Sequence, residues 1–229
     1  MSIDLAIEWQ GRKISGVIFD VDGTLTDSIE TYYKVFADAT SEFGLNIKRE
    51  DVLDPMATGN LIWDHAIPQS LPDRGEIIKK ITKAIVEIFP KEFSKVALFP
   101  GVGRIITGLS EASIKIGAVT SSWGPVFDPL HKASLSQYFD VYISREDGFP
   151  LKPAPDGILD CLKRMDVRPE NAVIVGDTTM DIEAGKSAGT YTIGVLSGLA
   201  QRSQMEAEPP DAIIDSVEDL CGLFGIEAR

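Results

Sequence analysis

Cysteine and histidine are scarce in this chain, and each scarcity removes a class of site. The two cysteines, Cys161 and Cys221, form no C-x-x-C pair, so the sequence predicts reduced, packed thiols rather than a disulfide framework. The two histidines, His65 and His131, have no partner at the spacing of metal ligands. Neither histidine is therefore expected to bind a metal.

Positive charge is also in short supply, with 22 Lys and Arg against 35 Asp and Glu and a net charge of −13. Nucleic acids and anionic membranes require a basic face, so neither is expected as a partner. No apolar run approaches the roughly 18 residues that span a bilayer. The first residues, Met-Ser-Ile-Asp, lack the basic and apolar regions of a signal peptide. We therefore expect a cytoplasmic globular protein.

Two carboxylates stand at the end of one apolar run, in residues 17–27, which read V-I-F-D-V-D-G-T-L-T-D. Asp20 and Asp22 are two residues apart, so an extended backbone directs both side chains to the same face. Two carboxylates in one small space repel each other, and a divalent cation relieves the repulsion. Gly23 allows a sharp turn out of the strand. In an open parallel sheet, this end of a strand is where ligands bind.

Beyond residue 99 the chain alternates between strand and helix patterns. Strands are predicted at residues 116–119, 141–143, 172–175, 191–195 and 212–214, and helices at 102–110, 126–137, 155–165, 180–188 and from 217. Residues 201–210 are the most loop-like part. Such alternation implies right-handed crossovers and a parallel sheet covered on both faces. The predicted fold class is α/β, a Rossmann-like doubly wound parallel sheet core with an inserted α-helical cap.

The predicted insert is residues 28–93, where helical stripes occur without a convincing strand. Asp27 can cap its first helix, with Glu30 as the reciprocal partner, and Pro90 is expected to end its isoleucine-rich helix. The domain prediction is a core of residues 1–27 and 94–229 and a cap of residues 28–93. Residues 3–9 alternate and Gln10-Gly11 can turn the chain, which predicts an extra hairpin. We expect this hairpin to protect an edge of the sheet rather than to mediate dimerisation. Both a monomer and a homodimer are compatible with the sequence.

Polar residues follow four of the predicted strands. Asp20 and Asp22 follow the first, Thr120-Ser121-Ser122 the second, Lys152 lies beyond the third, and Asp177 and Asp181 follow the fourth. A parallel sheet brings these strand ends to one edge. Phosphoryl transfer needs this set: a nucleophile, a metal that holds charge, and donors for the phosphoryl oxygens.

The four clusters resemble, in identity, order and spacing, the four motifs of the haloacid dehalogenase superfamily, over residues 17 to 195. The resemblance implies an aspartyl-phosphate on Asp20, with Asp22 as general acid and base. It implies Mg²⁺ held by Asp20, the backbone carbonyl of Asp22 and Asp177, with Asp181 as a further metal ligand or as a residue that orients the ligands. It further implies that Thr120, Ser121 and Lys152 bind the substrate phosphate.

The helical insert lies where the C1 cap of this superfamily sits, and the chain is most similar to phosphoglycolate-phosphatase-like hydrolases. The substrate implied is a small phosphorylated metabolite. Asn60, His65 and Arg74 are candidates to contact its leaving group, and Trp123 either walls the pocket or packs structurally. The alternatives are a phosphosugar mutase of the same scaffold and a non-catalytic binding protein, although the intact motifs argue against the latter. Asp22 disfavours dehalogenation, because dehalogenases lack this second carboxylate.

Overall fold

The central sheet has six parallel strands, and the prediction of a doubly wound α/β fold is confirmed. A computed structural model describes residues 7–226. The strands are β3 (Gly16–Phe19), β4 (Lys115–Val119), β5 (Val141–Ile143), β6 (Ala172–Gly176), β7 (Tyr191–Val195) and β8 (Ala212–Ile214). Their order is β5-β4-β3-β6-β7-β8, with every neighbouring pair parallel. The first strand therefore lies inside the sheet, flanked by β4 and β6.

Helices cover both faces of this sheet. They are α5 (Val102–Glu111), α6 (Asp128–Lys132), α7 (Asp156–Met165), α8 (Thr179–Ala188), α9 (Arg202–Ala207) and α10 (Leu220–Leu223). Val17 and Phe19 belong to one buried cluster, whereas Ile18 belongs to a second one with α7 residues such as Ile158 and Leu162. Since successive strand residues point to opposite faces, both faces of β3 are buried, and this explains its uninterrupted apolar sequence.

The predicted hairpin is present but does not pair with the main sheet. Strands β1 (Ile7–Trp9) and β2 (Arg12–Ile14) are antiparallel and form their own two-stranded sheet. Gln10 and Gly11 between them have positive φ values of 51° and 74°, as a tight hairpin turn requires. Trp9 packs edge-on against Tyr191, the first residue of β7. The hairpin thus covers the amino ends of the strands rather than an edge, and Ile3 and Leu5 of the alternating stretch lie outside the described residues.

Residues 28–93 contain four helices and, as predicted, no strand; the bounds are α1 (Ile29–Ser41), α2 (Arg49–Thr58), α3 (Ile62–Ala66) and α4 (Arg74–Phe93). The capping prediction for Asp27 is wrong. The helix is preceded by Ser28, because the Asp27 N–H donates to the Ala97 carbonyl at 3.0 Å and keeps Asp27 in the connection. Glu30 pairs with Arg49 on α2 instead. The assignment of residues 28–93 as a separate domain stays a prediction.

Two further boundaries differ from the prediction. Helix α4 continues through Pro90 to Phe93, because Phe89 and Phe93 are both buried and their packing outweighs the lost hydrogen bond. The segment 201–210 is not a loop throughout, since it contains α9. Its start is capped by the Gln201 N–H donating to Gln204 Oε1 at 2.7 Å, and Met205 anchors it in the interior.

The helical segment enters and leaves the core at adjacent points. The Asp27 N–H donates to the Ala97 carbonyl, and the Phe99 N–H donates to the Leu25 carbonyl, both at 3.0 Å. Thr26 and Leu98 form an antiparallel bridge between these bonds. The two connections are therefore a short ribbon at the edge where β3 and β4 end. No helix of residues 7–226 is long and apolar enough to cross a membrane.

Candidate active site

The predicted polar clusters do meet at the carboxyl edge of the sheet. Asp20 directly follows β3, and its N–H still donates to the Val175 carbonyl at 2.8 Å. Thr120 directly follows β4 and Asp177 directly follows β6. Because the backbone ladder continues past the last strand residues, the directions of these side chains are fixed by the sheet rather than by flexible loops.

Three of the carboxylates form a compact buried cluster. Asp20, Asp177 and Asp181 each offer an oxygen, and these oxygens all lie within 4.8 Å of one another. Hard divalent cations such as Mg²⁺ prefer carboxylate oxygen ligands. The chemistry of this donor set therefore fits a bound divalent cation, and a cation would offset the mutual repulsion of three buried acids.

Lys152 is the single lysine that penetrates this cluster among the described residues. Its Nζ contacts Asp20 Oδ1, lies 2.5 Å from Asp181 Oδ1 and donates to the Val119 carbonyl at 3.1 Å. Burial alone would lower the pKa of Lys152, but Asp181 and Asp20 raise it above its ordinary value. Lys152 is thus held as a cation beside the candidate nucleophile.

Asp181 contacts Lys152 with one carboxylate oxygen and caps a helix with the other. Its Oδ1 faces Lys152, whereas its Oδ2 accepts hydrogen bonds from the Thr178 N–H at 3.0 Å and the Thr178 hydroxyl at 2.7 Å. The second set is an N-terminal capping box for α8. Helix capping therefore holds the carboxylate in the orientation in which it meets the lysine.

Burial of so many acids changes their titration in the metal-free protein. Desolvation raises the pKa of Asp177 to about 7, with Asp181 adding to the effect. Desolvation also raises the pKa of Asp20 well above its usual value, although Lys152 opposes the rise. Lys152 does not offset this rise, because burial and the neighbouring carboxylates Asp181 and Asp177 act together against it. A cation in the cluster would lower these values again.

Asp22 is not part of the acidic cluster, and its carboxylate is surrounded by hydroxyl groups. Ser28 Oγ donates to its Oδ1 at 2.7 Å, and Tyr32 Oη donates to its Oδ2 at 3.0 Å. Thr120 Oγ1 lies 3.5 Å from the same Oδ2. Burial raises the pKa of Asp22 to about 6, and the Ser28 and Tyr32 hydrogen bonds limit the rise. The two aspartates of the first strand end are therefore in different environments, as two different chemical roles require.

Hydroxyl groups at the end of β4 line the same edge. Thr120 is buried, and its Oγ1 accepts a hydrogen bond from the Ser122 N–H at 3.0 Å. The Ser121 hydroxyl is buried with no hydrogen-bond partner among the described residues. Buried hydroxyl groups normally have a hydrogen-bond partner. Ser121 lines the same small cavity as Thr120 and Lys152, so its unpaired hydroxyl is available to donate a hydrogen bond to a bound anion.

Comparison with known proteins agrees with this geometry. The family described as Haloacid dehalogenase-like hydrolase matches residues 17–195, which include the acidic cluster, Lys152 and the hydroxyl groups at the end of β4. The chain belongs to this family.

Relatives of this haloacid dehalogenase-like hydrolase carry phosphatase names. The phosphoglycolate phosphatase of Shigella boydii serotype 4 (strain Sb227) is 29% identical over 94% of both chains. That of Escherichia coli (strain K12) is 28% identical over the same shares. Family and relatives together confirm the prediction of an enzyme of the phosphoric monoester hydrolase class.

Solved structures agree on the fold. A haloacid dehalogenase-like hydrolase from Bacteroides fragilis superposes with a TM-score of 0.79 at 25% identity, covering 91% of this chain and 100% of that one. A β-phosphoglucomutase from Clostridium difficile superposes with a TM-score of 0.69 at 20% identity, covering 90% and 93%. The second likeness concerns the fold alone.

The three predicted cap contacts of the hydrolase differ in their surroundings. Arg74 donates to the Trp63 carbonyl at 2.5 Å, to the Ile67 carbonyl at 3.2 Å and to Asp64 at 3.1 Å. These bonds tie Arg74 to α3 and the residue after it, and its role as a substrate contact stays a prediction. His65 is exposed. The roles of His65 and Asn60 as substrate contacts also stay predictions.

Asn60 follows a turn that lies against the catalytic edge. Its Nδ2 donates to Thr58 Oγ1 at 2.9 Å. Gly59 before it has a φ of 71°, and a Cβ there would stand 2.7 Å from Met180 Sδ. Met180 lies between Asp177 and Asp181, so the turn between α2 and α3 packs over the segment that carries these acids.

The sequence prediction missed two groups of residues in the site. Ser28 and Tyr32 hold Asp22, and only a hydroxyl inside an otherwise apolar helical stripe could have indicated Tyr32. The other group follows β7: the Leu199 N–H donates to Asp177 Oδ2 at 2.8 Å, and Ser197 Oγ donates to the Gly23 carbonyl at 2.7 Å. The strand-end rule that located the other clusters applies equally to β7.

Proposed function

We propose that this hydrolase is a Mg²⁺-dependent phosphatase that cleaves a small phosphomonoester through an aspartyl-phosphate on Asp20. The observation that carries the proposal is the position of Asp20, which belongs to the acidic cluster and also contacts the Lys152 ammonium group. A carboxylate placed in this way can attack a phosphorus atom that the neighbouring cation and hydroxyl groups hold in front of it.

Asp20, Asp177 and Asp181 would hold Mg²⁺ through their carboxylates, and Asp22 through its backbone carbonyl. When bound, the metal would neutralise negative charge on the nucleophile and on the phosphoryl oxygens. The hydroxyl groups of Thr120 and Ser121 and the Lys152 ammonium group would donate to the remaining phosphoryl oxygens. These groups are fixed before substrate arrives, so they cost little reorganisation during the reaction.

The chemistry then takes two displacements. An Asp20 carboxylate oxygen forms a bond to phosphorus as the ester P–O bond breaks, and protonated Asp22 gives its proton to the departing alcohol oxygen. Asp22, now ionised, takes a proton from water, whose oxygen attacks the phosphorus of the acyl phosphate. The P–O bond to Asp20 breaks, inorganic phosphate leaves, and both carboxyl groups return to their starting states. A pKa of about 6 for Asp22 suits a group that must act as acid and then as base near neutral pH.

The relatives named phosphoglycolate phosphatase make phosphoglycolate the first substrate to test. A mutase has to grip the second phosphate of a sugar bisphosphate. Of the two arginines in residues 28–93, Arg49 pairs with Glu30 and Arg74 with Asp64. Their engagement favours a monoester with a small leaving group. The free thiols of Cys161 and Cys221 suit the cytoplasm, where we expect such metabolites.

A panel of phosphomonoesters with Mg²⁺ tests the proposal by release of inorganic phosphate. Wild-type protein should turn over at least one small monoester, and Asp20→Asn should reduce turnover by about 10⁴-fold or more because nothing replaces the nucleophile. A requirement for a sugar bisphosphate without net phosphate release would favour the mutase. No turnover of any member would favour a binding protein, and near-normal activity of Asp20→Asn would contradict the assigned nucleophile.

A further inference from the structure

Tyr32 joins the helical segment 28–93 to the acid/base carboxylate of the core. It lies in α1 and is buried, and its hydroxyl oxygen is 3.0 Å from Asp22 Oδ2 and 2.5 Å from Ser122 Oγ. Burial and the adjacent Asp22 carboxylate raise the pKa of Tyr32 well above its usual value. A tyrosine hydroxyl has an ordinary pKa of about 10, so it has a proton to donate near neutral pH.

Aromatic side chains of α4 hold the Tyr32 ring. Phe89 and Phe93 meet it edge-on, with ring centroids 5.7 and 4.9 Å away. Phe89 also meets Trp123, which follows the phosphate-binding hydroxyls of the core, at 5.5 Å. Trp123 is thus a packing residue at this junction. These edge-on contacts pack the Tyr32 ring against α4. The position of the Tyr32 hydroxyl therefore depends on how α1 and α4 are positioned over the sheet.

A tyrosine hydroxyl suits a partner that changes its protonation state, because it can donate and accept at once. While Asp22 is ionised, Tyr32 donates to Oδ2 and accepts from the Ser122 hydroxyl. A carboxylate has about four acceptor sites, and the hydroxyl groups of Ser28 and Tyr32 take one on each of its two oxygens. The remaining sites are left for the proton that Asp22 would carry to and from the substrate.

We propose that Tyr32 is a positioning residue for phosphomonoester hydrolysis, which fixes the Asp22 carboxyl group in the orientation that protonates the leaving oxygen. Because Tyr32 belongs to the helical segment, Asp22 can act as an acid only when α1 and α4 are correctly positioned over the core. The inference rests on the proposed function, in which Asp22 is the acid and base.

The test compares two leaving groups in Tyr32→Phe, which keeps the ring and removes only the hydroxyl. The substrates are p-nitrophenyl phosphate, whose phenolate leaves without protonation, and phosphoglycolate, or the alkyl monoester that the wild type hydrolyses fastest. We expect kcat/KM for the alkyl ester to fall about tenfold or more, as loss of a hydrogen bond to a charged group implies. For p-nitrophenyl phosphate the fall should stay within about threefold. Asp22→Asn should show the same selectivity with larger losses.

Tyr33→Phe is the matched control, since it removes a hydroxyl from the next residue of the same helix, one that donates no hydrogen bond to Asp22. It should leave both substrates near wild-type values, and circular dichroism melts should confirm that all variants fold. Equal losses for both substrates in Tyr32→Phe would assign Tyr32 a structural role and overturn this inference alone. Failure of the wild type to hydrolyse either substrate would overturn the proposed function and this inference with it.

Discussion

Replacing Gly198 with alanine is expected to weaken Mg²⁺ binding without unfolding the protein. Gly198 lies in the turn after β7, and its Cα faces the carboxylate of Asp177. A Cβ at this position would stand 1.8 Å from Asp177 Oδ2 and 2.3 Å from Asp177 Cγ, whereas ordinary van der Waals contact begins at 3.4 Å. The φ of Gly198 is outside the left-handed region, so the added methyl group introduces a clash and no backbone strain.

The size of the effect follows from this geometry. Relief of the clash requires the Asp177 carboxylate or the turn to move by about 1.5 Å. The hydrogen bond from the Leu199 N–H to Asp177 Oδ2, 2.8 Å long, cannot survive such a shift unchanged. Loss of a hydrogen bond to a charged acceptor costs about 1.5–3 kcal/mol. Changes in the groups that orient a metal ligand typically weaken metal binding by about 10- to 100-fold, and we expect that range here.

Isothermal titration calorimetry with Mg²⁺ measures the affinity directly, and activity against Mg²⁺ concentration gives a second measure. Gly103→Ala is the control, because a Cβ at Gly103 in α5 meets nothing within 4 Å. That variant should bind Mg²⁺ normally and be neutral or slightly more stable. An unchanged Mg²⁺ affinity of Gly198→Ala would refute the claim that the turn after β7 holds Asp177 in its ligand position.

Two further predictions concern the metal. Chelation with EDTA should abolish phosphate release, and excess Mg²⁺ should restore it; full activity in EDTA would contradict a metal site at the acidic cluster. In the metal-free protein, burial raises the pKa of Asp177 to about 7 from 3.8 in the unfolded chain, so between these values the folded state binds more protons. The free energy of unfolding should therefore fall as pH rises from about 4 to about 7. Thermal melts in EDTA measure this trend, Mg²⁺ should diminish it, and a melting temperature that rises with pH would count against it.

The sequence was sufficient to predict the sheet and the side chains that meet at its carboxyl edge. Parallel strands buried on both faces must be continuous apolar runs, so Val17–Phe19 and Ala172–Val175 were recognisable, and the polar residue after each one falls at the same edge. The acids at positions 20, 177 and 181 were identified in this way. The same rule would have found Gly198, but the turn after β7 carries no charged residue to draw notice.

Other features depend on contacts between distant parts of the chain. Tyr32 fits the apolar stripe of α1, and nothing in its neighbourhood in the sequence indicates that its hydroxyl meets Asp22 and Ser122. Local rules gave the wrong boundaries where tertiary packing prevailed. Pro90 did not end α4, since Phe93 beyond it is buried, and Asp27 did not cap α1, since it pairs with Ala97. The titration of Asp20 was also beyond local reasoning, because it depends on how many acids share one buried site.

The paired connections at Thr26 and Leu98 make the helical segment exchangeable. Because the two crossing strands are hydrogen-bonded to each other, a replacement segment has to match only two neighbouring points and leaves the six-stranded sheet intact. The helical segment can therefore be remodelled as one stretch of sequence while Asp20 and Lys152 keep their places at the edge of the sheet. Any replacement segment would have to supply a hydroxyl group to Asp22, as Tyr32 does here.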